Sequence, residues 1–138
     1  MTKQMIVNCS TSKLKDIRVF VSDTIGKYLP KKDKKMVILA VDEICTNLIC
    51  HAKGEDGISI DIAMSNKTNS FEFVIKSKGE GFDYENYVEP NLKDIVAQRR
   101  KGGLGMILVR KIMDEVSFYQ EDGVNVCELV KKSSIPFK

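Results

Sequence analysis

ISIDIAMSNKTNSFEFVIKSK, residues 58–78, is the stretch that decides the fold. Apolar and polar residues alternate on both sides of residues 66–69, which are rich in turn-forming side chains. Alternation with a period of two is typical of a strand that has one buried face. The stretch therefore predicts two antiparallel strands in one hairpin, with their apolar faces on the same side of a sheet.

Two amphipathic helices are predicted before this hairpin, at about residues 13–28 and 34–52. Apolar residues recur at helical spacing in both. They are Leu14, Ile17, Val21, Ile25 and Leu29 in the first helix, and Val37, Val41, Ile44, Leu48 and Ala52 in the second. We expect Pro30 to end the first helix and Asp33 to cap the second. Both helices need an apolar sheet face to cover.

The rest of the chain supplies further short elements. We expect a strand at 4–9, a short helix around 92–98, a helix from the glycine-rich residues 102–105 to about 113, and strands at 116–120 and 124–131. Asp122-Gly123 between the last two strands is a strong hairpin signal. The predicted fold class is an α/β (α+β) two-layer sandwich, with a mixed, mainly antiparallel sheet and helices on one face. No repeat or long linker is visible, so we expect one domain over residues 1–138.

Charge and cysteine content narrow the function classes. The net charge is +3, from 22 basic and 19 acidic residues, which argues against a broad nucleic-acid surface. The basic run at 31–35 is interpreted as a solvated loop. The four cysteines form no C-x-x-C pair and there is one histidine, so a zinc site is not expected. No signal-peptide core or membrane-length apolar run is visible, which favours a cytoplasmic protein with free thiols.

Glu43, Asn47 and His51 are spaced by four residues and would share one face of the second helix. At about 1.5 Å of rise per residue, Glu43 and Asn47 lie roughly 6 Å apart along the axis. A carboxylate can accept a proton there, and an amide oxygen can ligate a hard cation such as magnesium. An ordinary polar stripe on a surface helix would show the same spacing, so both interpretations stay open.

Two glycine-bearing segments also carry possible chemistry. Residues 75–83, IKSKGEGFD, leave a strand for a loop in which glycines let the backbone approach a flat ligand closely. Residues 101–106, KGGLGM, place glycines at a helix N-terminus, where free amides and the helix dipole favour phosphate. The preceding basic residues could meet phosphate oxygens. A flexible loop before a helix is the alternative interpretation of this second segment.

The three segments together resemble a known family. Their order, Glu-x-x-x-Asn-x-x-x-His-Ala, then Gly-x-Gly-Phe-Asp, then Gly-Gly-Leu-Gly, is similar to that of the Bergerat-fold ATPases, which include histidine kinases, gyrases and Hsp90. Residues 103–116, GLGMILVRKIMDEV, are especially similar to the branch of anti-sigma-factor serine kinases. The resemblance covers nearly the whole chain, and it rests on the combination of motifs rather than on any one of them.

The resemblance implies roles for individual residues, with ATP and Mg²⁺ as cofactors. Glu43 would be the general base toward a substrate hydroxyl, and Asn47 would contact the nucleotide and hold the magnesium ion. Gly79 and Gly81 would line the adenine side, and a lid over the phosphates would include the glycine-rich segment. The nucleotide-binding set is Asn47, Ser77, Gly79, Gly81, Lys101, Gly102, Gly103, Leu104 and Gly105. His51 is expected to make a structural hydrogen bond.

Ser77 departs from the pattern of the family it resembles. The family normally carries an aspartate two residues before the first glycine of the middle motif, where it accepts a hydrogen bond from the adenine amino group. A serine hydroxyl still accepts a hydrogen bond, but it is neutral and shorter. Losing a charged acceptor costs on the order of 1 kcal/mol, or roughly tenfold in affinity.

The resemblance predicts an ATP-binding anti-sigma factor that phosphorylates a small anti-anti-sigma (STAS-type) protein on serine or threonine. A binding module that sequesters a sigma factor or similar regulator without phosphotransfer is the alternative, and Ser77 favours it. The intact pair of Glu43 and Asn47 favours the enzyme. A homodimer is a further expectation, whereas direct binding to nucleic acid or membrane is not expected.

Overall fold

The computed structural model describes residues 2–51, 57–78 and 103–137. In chain order the elements are β1 (Thr2–Val7), a 3-10 turn (Thr11–Lys13), α1 (Leu14–Ile25), α2 (Lys31–His51), β2 (Ile58–Ser65), β3 (Ser70–Lys78), α3 (Gly103–Ile112), β4 (Glu115–Glu121) and β5 (Val124–Lys132). The helix expected around 92–98 lies outside the described residues, and every other predicted helix and strand is present.

The described strands form one five-stranded sheet in the order β1-β2-β3-β5-β4, and all neighbouring pairs are antiparallel. In the register of the β2–β3 hairpin, Ile60 lies opposite Ile75 and Ile62 lies opposite Phe73. The hairpin predicted from the alternating pattern is therefore confirmed, as is the mainly antiparallel sheet.

The turn between β4 and β5 has the backbone conformation that its two residues favour. Asp122 has φ 52° and Gly123 has φ 77°. Two consecutive residues with positive φ give a turn whose twist matches that of the flanking strands, and Asp-Gly tolerates this conformation better than other pairs. The Asp122-Gly123 signal thus fixes the register of the last hairpin.

The core lies between one face of the sheet and the helices, as predicted. The alternating residues of β2 and β3 are at most 1% exposed and form one cluster with the apolar stripe of α2. The members from the hairpin are Ile58, Ile60, Ile62, Phe71, Phe73 and Ile75, and those from α2 include Val37, Val41, Ile44 and Leu48. This packing defines the two layers of the sandwich.

The junction between α1 and α2 lies several residues before the predicted position. α1 ends at Ile25 because Gly26 follows with φ 55°, a conformation that favours glycine and ends a helix. α2 begins at Lys31, directly after Pro30, whose carbonyl accepts the backbone N–H of Lys34 at 2.9 Å. Asp33 therefore lies in the first turn of α2, where its charge suits the helix dipole, and it is not the cap.

β1 lies two residues earlier than predicted, and its partner strand explains the difference. Val7 pairs with Ile58, the first residue of β2, so β1 has no partner residue beyond Val7. The chain turns instead, and the Ser10 side chain accepts the backbone N–H of Ser12 at 3.3 Å before α1 begins. None of the helices within the described ranges combines the length and apolar character needed to span a bilayer.

We predict that Phe73→Ala lowers the free energy of unfolding by about 3–5 kcal/mol, because Phe73 is fully buried between sheet and helices. The matched control is Glu72→Ala on the exposed face of the same strand, which should change it by less than about 0.5 kcal/mol. Urea unfolding of both variants is the measurement. Equal effects of the two changes would contradict this packing of β3.

Candidate functional site

The polar face of α2 carries the two predicted site residues one helical turn apart. Glu43 is partly buried and Asn47 is 8% exposed, whereas Ile44 and Leu48 beside them are buried in the core. α3 packs against α2. The helical spacing places the two polar side chains on one face of α2, as the sequence predicted, and the structure adds that this face is not fully solvated.

A close contact joins Glu43 to the first turn of α3. A methyl group built on Gly105 would overlap the Glu43 carboxylate, with its carbon 2.8 Å from Glu43 Cδ and still closer to Oε2. Real Cβ atoms essentially never lie under 3.0 Å from such a neighbour. Gly105 is therefore the residue that allows α3 to approach the carboxylate of α2. The linear sequence, in which the two residues are far apart, gave no sign of this contact.

Burial and charge both increase the proton affinity of Glu43. Desolvation raises the pKa of its carboxyl, and the neighbouring Asp42 carboxylate raises it further. Asp42 in turn accepts a hydrogen bond from Arg18 of α1 at 2.8 Å, in an ion pair at the surface. Glu43 is thus a stronger base than an exposed glutamate. The sequence alone did not indicate the role of Asp42 or Arg18 around it.

Asn47 has a buried polar atom without a partner. The Nδ2 atom is inaccessible to solvent and makes no hydrogen bond within the described part of the chain. Buried polar groups are nearly always hydrogen-bonded in folded proteins, and an unpaired one costs about 1–3 kcal/mol. Because an asparagine amide presents either its N–H donors or its oxygen to a neighbour, this side chain is suited to contact a bound group.

Ser77 lies on the helix-covered face at the end of β3 and is 3% exposed. Its Oγ atom also makes no hydrogen bond within the residues that the structure describes. Ser77 pairs with Ile58, the residue at which the chain enters β2 from the end of α2. The topology therefore brings Ser77 to the end of the sheet that follows α2, the helix that carries Asn47.

The remaining predicted positions lie in the segment that leads to α3. Gly103 begins α3 and Leu104 follows it, so the glycine-rich segment does open a helix, as predicted. The other four, Gly79, Gly81, Lys101 and Gly102, lie outside the described residues. His51 is the last residue of α2, and its side chain also lies outside the described part.

The C-terminal end of α3 is fixed to the sheet. Lys131 of β5 donates a hydrogen bond from Nζ to the carbonyl of Ile112 at 2.9 Å, where a cation also suits the negative end of the helix dipole. The backbone N–H of Lys132 donates to Asp114 Oδ2 at 2.6 Å. With this end fixed, the first turn of α3 is held against Glu43.

This fold and this arrangement of α2 and α3 are those of a histidine kinase-like ATPase domain, whose family model matches residues 8–131. The solved structure of the RsbU and RsbW domains of Rv1364c from Mycobacterium tuberculosis superposes with a TM-score of 0.71 over 96% of this chain. The two share 11% sequence identity, and the match covers 32% of that chain, so this comparison concerns the fold.

Relatives of similar sequence show which kind of histidine kinase-like ATPase domain this is. The serine-protein kinase RsbW of Staphylococcus aureus, in strains JH9 and Newman, is 37% identical over 145 aligned residues. The alignment covers 96% of this chain and 89% of each relative. The chain belongs to the family of RsbW serine-protein kinases, within the histidine kinase-like ATPase domains.

We predict that Gly105→Ala loses the stability that helix propensity alone would add, because the new methyl group forces the Glu43 carboxylate to move away from the first turn of α3. On helix propensity alone, alanine would stabilise by about 1 kcal/mol. Glu43→Ala removes the overlap, so the double variant should recover most of the loss. Urea unfolding of the two single variants and the double variant measures this coupling. Additive effects, or a more stable Gly105→Ala protein, would show that the contact is absent.

Proposed function

We propose that the chain is an ATP-dependent protein serine/threonine kinase that acts as an anti-sigma factor. The observation that carries the proposal is the partly buried carboxylate of Glu43, with its raised pKa, against the first turn of α3 and one helical turn from Asn47. Its relatives are named serine-protein kinases, and its family is one of ATPase domains. The same features argue against the alternative of a sequestering module without catalysis.

ATP would bind along the polar side of α2 and at the N-terminal end of α3. Two buried polar atoms, Asn47 Nδ2 and Ser77 Oγ, have no hydrogen-bond partner among the described residues and fit a site that a ligand completes. Gly103 and Gly105 would form part of the phosphate lid, because the first turn of a helix presents free backbone amides to an anion. Following the family resemblance, Gly79 and Gly81 would lie on the adenine side, and Lys101, Gly102 and Leu104 would lie near the phosphates.

Magnesium fits this donor set through Asn47. The described residues contain no group of three side chains from His, Cys, Asp and Glu that could hold a metal. Mg²⁺ commonly takes only one or two protein ligands in nucleotide sites and completes its shell with phosphate oxygens and water. The amide oxygen of Asn47 would supply such a ligand. When bound, Mg²⁺ neutralises phosphate charge in the transfer.

The mechanism follows from the position and basicity of Glu43. The substrate serine or threonine hydroxyl would donate its proton to the Glu43 carboxylate while its oxygen bonds to the γ-phosphorus of ATP, and ADP would leave. Because burial and Asp42 raise the pKa of Glu43, the carboxylate takes this proton more readily than an exposed glutamate. Gly105 would keep the carboxylate between α2 and the phosphate end of the site.

The protein partners follow from the family. We propose that the phosphate acceptor is a small STAS-type anti-anti-sigma protein and that the chain also binds a sigma factor or similar regulator. The chain would act in the cytoplasm as one domain, 1–138, and its active form would be a homodimer. We do not propose direct binding to nucleic acid, since the net charge is only +3.

We predict that Glu43→Gln lowers phosphotransfer by about 10²–10⁴-fold, the usual contribution of a general base, while ATP affinity is largely retained. Transfer from γ-labelled ATP to a purified STAS-type protein from the same organism, with ATP titration calorimetry, separates the two effects. In the unchanged enzyme, turnover should rise with pH through a value above the usual range for glutamate, because the base must be unprotonated.

The control for this change is Glu72→Gln, which removes an exposed carboxylate from β3 and should leave transfer unchanged. Because the pKa of Glu43 is raised in the folded state, its ionisation as pH rises lowers the free energy of unfolding. Glu43→Gln should therefore keep or slightly raise the melting temperature at pH 7. Undiminished turnover in this variant would refute the assignment of Glu43 as the base.

We predict that Asn47→Ala and Asn47→Leu abolish the magnesium dependence of ATP binding. The leucine variant is the sharper test, because it fills the space of a buried amide whose Nδ2 atom has no partner within the described ranges, and it should match or exceed the stability of the unchanged protein. Calorimetry with magnesium and with EDTA, plus a melting curve, gives both quantities. An Asn47→Leu protein that still binds ATP more tightly with magnesium would exclude Asn47 as the ligand.

A further inference from the structure

Ser77 is a buried polar residue of the proposed nucleotide site to which the phosphotransfer mechanism gives no role. Its side chain is 3% exposed, and its hydroxyl has no hydrogen-bond partner among the residues described. The other buried serine of the same strand, Ser70, is satisfied, because its hydroxyl lies 2.6 Å from that of Thr68. The described residues thus satisfy the buried serine at one end of β3 but supply no hydrogen-bond partner for the one at the other end.

The described neighbours of Ser77 carry no charge on the face that its side chain shares. Ile75, two residues earlier on the same face of β3, is fully buried, and so is Ile58, the β2 residue opposite Ser77. Lys76 and Lys78 are exposed, on the opposite face of the strand. On this face Ser77 therefore has apolar neighbours in β2 and β3 and the neutral amide Asn125 opposite it on β5, and both lysines lie on the other face, so a neutral hydrogen bond is the main polar interaction available.

A hydroxyl differs from a carboxylate in what it can recognise. An ionised aspartate only accepts hydrogen bonds, whereas a serine hydroxyl both donates and accepts, because its proton rotates to suit the neighbour. The purine bases differ at position 6 in this property: adenine carries an amino donor, and guanine carries a keto acceptor. An aspartate would bind the first and repel the second. A serine can satisfy either one.

We propose that Ser77 gives this chain a relaxed choice of nucleobase, so that 6-oxopurine nucleoside triphosphates bind at the same site as ATP with similar affinity. The inference rests on the proposed nucleotide site and specifies which nucleotides that site accepts. It concerns a residue of this chain that departs from the aspartate of the family it resembles. The observation that carries it is the buried Oγ atom, which has no hydrogen-bond partner in the described part of the chain.

The test is titration calorimetry with three magnesium-bound nucleotides that differ only around position 6. They are ATP, inosine triphosphate and purine riboside triphosphate, which has hydrogen there. We expect ATP and inosine triphosphate to bind within about tenfold of each other, and purine riboside triphosphate to bind about two- to tenfold more weakly than both, since it lacks a hydrogen-bonding group. A preference for ATP above tenfold, or equal binding of all three, would overturn the proposal.

Variants of Ser77 assign the effect to its hydroxyl. Ser77→Ala should weaken ATP and inosine triphosphate to a similar extent and leave purine riboside triphosphate unchanged. Ser77→Asp should tighten ATP binding by about five- to tenfold and weaken inosine triphosphate, because the carboxylate accepts from the amino group and repels the keto group. Ser70→Ala, on the same strand with its hydroxyl already paired, is the control and should leave the three affinities in the same ratio.

Melting curves accompany each titration, and the alanine variant decides the question if the aspartate variant does not fold. Selective loss of ATP affinity in Ser77→Ala, with inosine triphosphate unaffected, would overturn the dual role of the hydroxyl. Failure of every nucleotide to bind the unchanged protein would overturn this inference and the proposed kinase together. Binding of both purines without phosphotransfer would overturn only the kinase.

Discussion

The packing of α2 against the apolar face of the β2–β3 hairpin is the interaction on which the rest of the structure depends. It fixes the rotation of α2 about its axis, because Ile44 and Leu48 must face the sheet. Once that rotation is set, Glu43 lies against the first turn of α3, and Asn47 lies one helical turn further along α2. The packing of the core therefore sets the orientation of Glu43 and Asn47 on α2.

Groups that weaken the fold are concentrated at this site. Desolvation of Glu43 opposes its charged form, and the polar atoms of Asn47 and Ser77 are buried without hydrogen bonds from the described residues. Each of these features costs stability in the free protein. A bound nucleotide would offset that cost, since a ligand that binds only the folded state stabilises it. Buried polar and charged groups that lower the stability of the free protein are typical of a binding site.

Much of the fold could be predicted from the sequence. Period-two alternation specified the β2–β3 hairpin, Asp122-Gly123 specified the last turn, and apolar spacing specified α1 and α2, because these signals depend on neighbours within a few residues. The spacing of Glu43 and Asn47 likewise put both on one helical face. The ends of α1 and α2 were less well predicted, because a helix could end or begin at several positions near Gly26 and Pro30.

The sequence by itself determined which elements form, which of their faces are apolar and which polar residues share a face. Only the tertiary structure decided what surrounds those polar residues: the glycine of α3 lies against Glu43, the arginine of α1 lies beside Asp42, and the buried hydroxyl of Ser77 has no partner among residues 2–51, 57–78 and 103–137. The physical reason is distance along the chain. Periodicity and turn preference are local properties, whereas desolvation and contact between elements arise only after residues far apart in sequence are packed together.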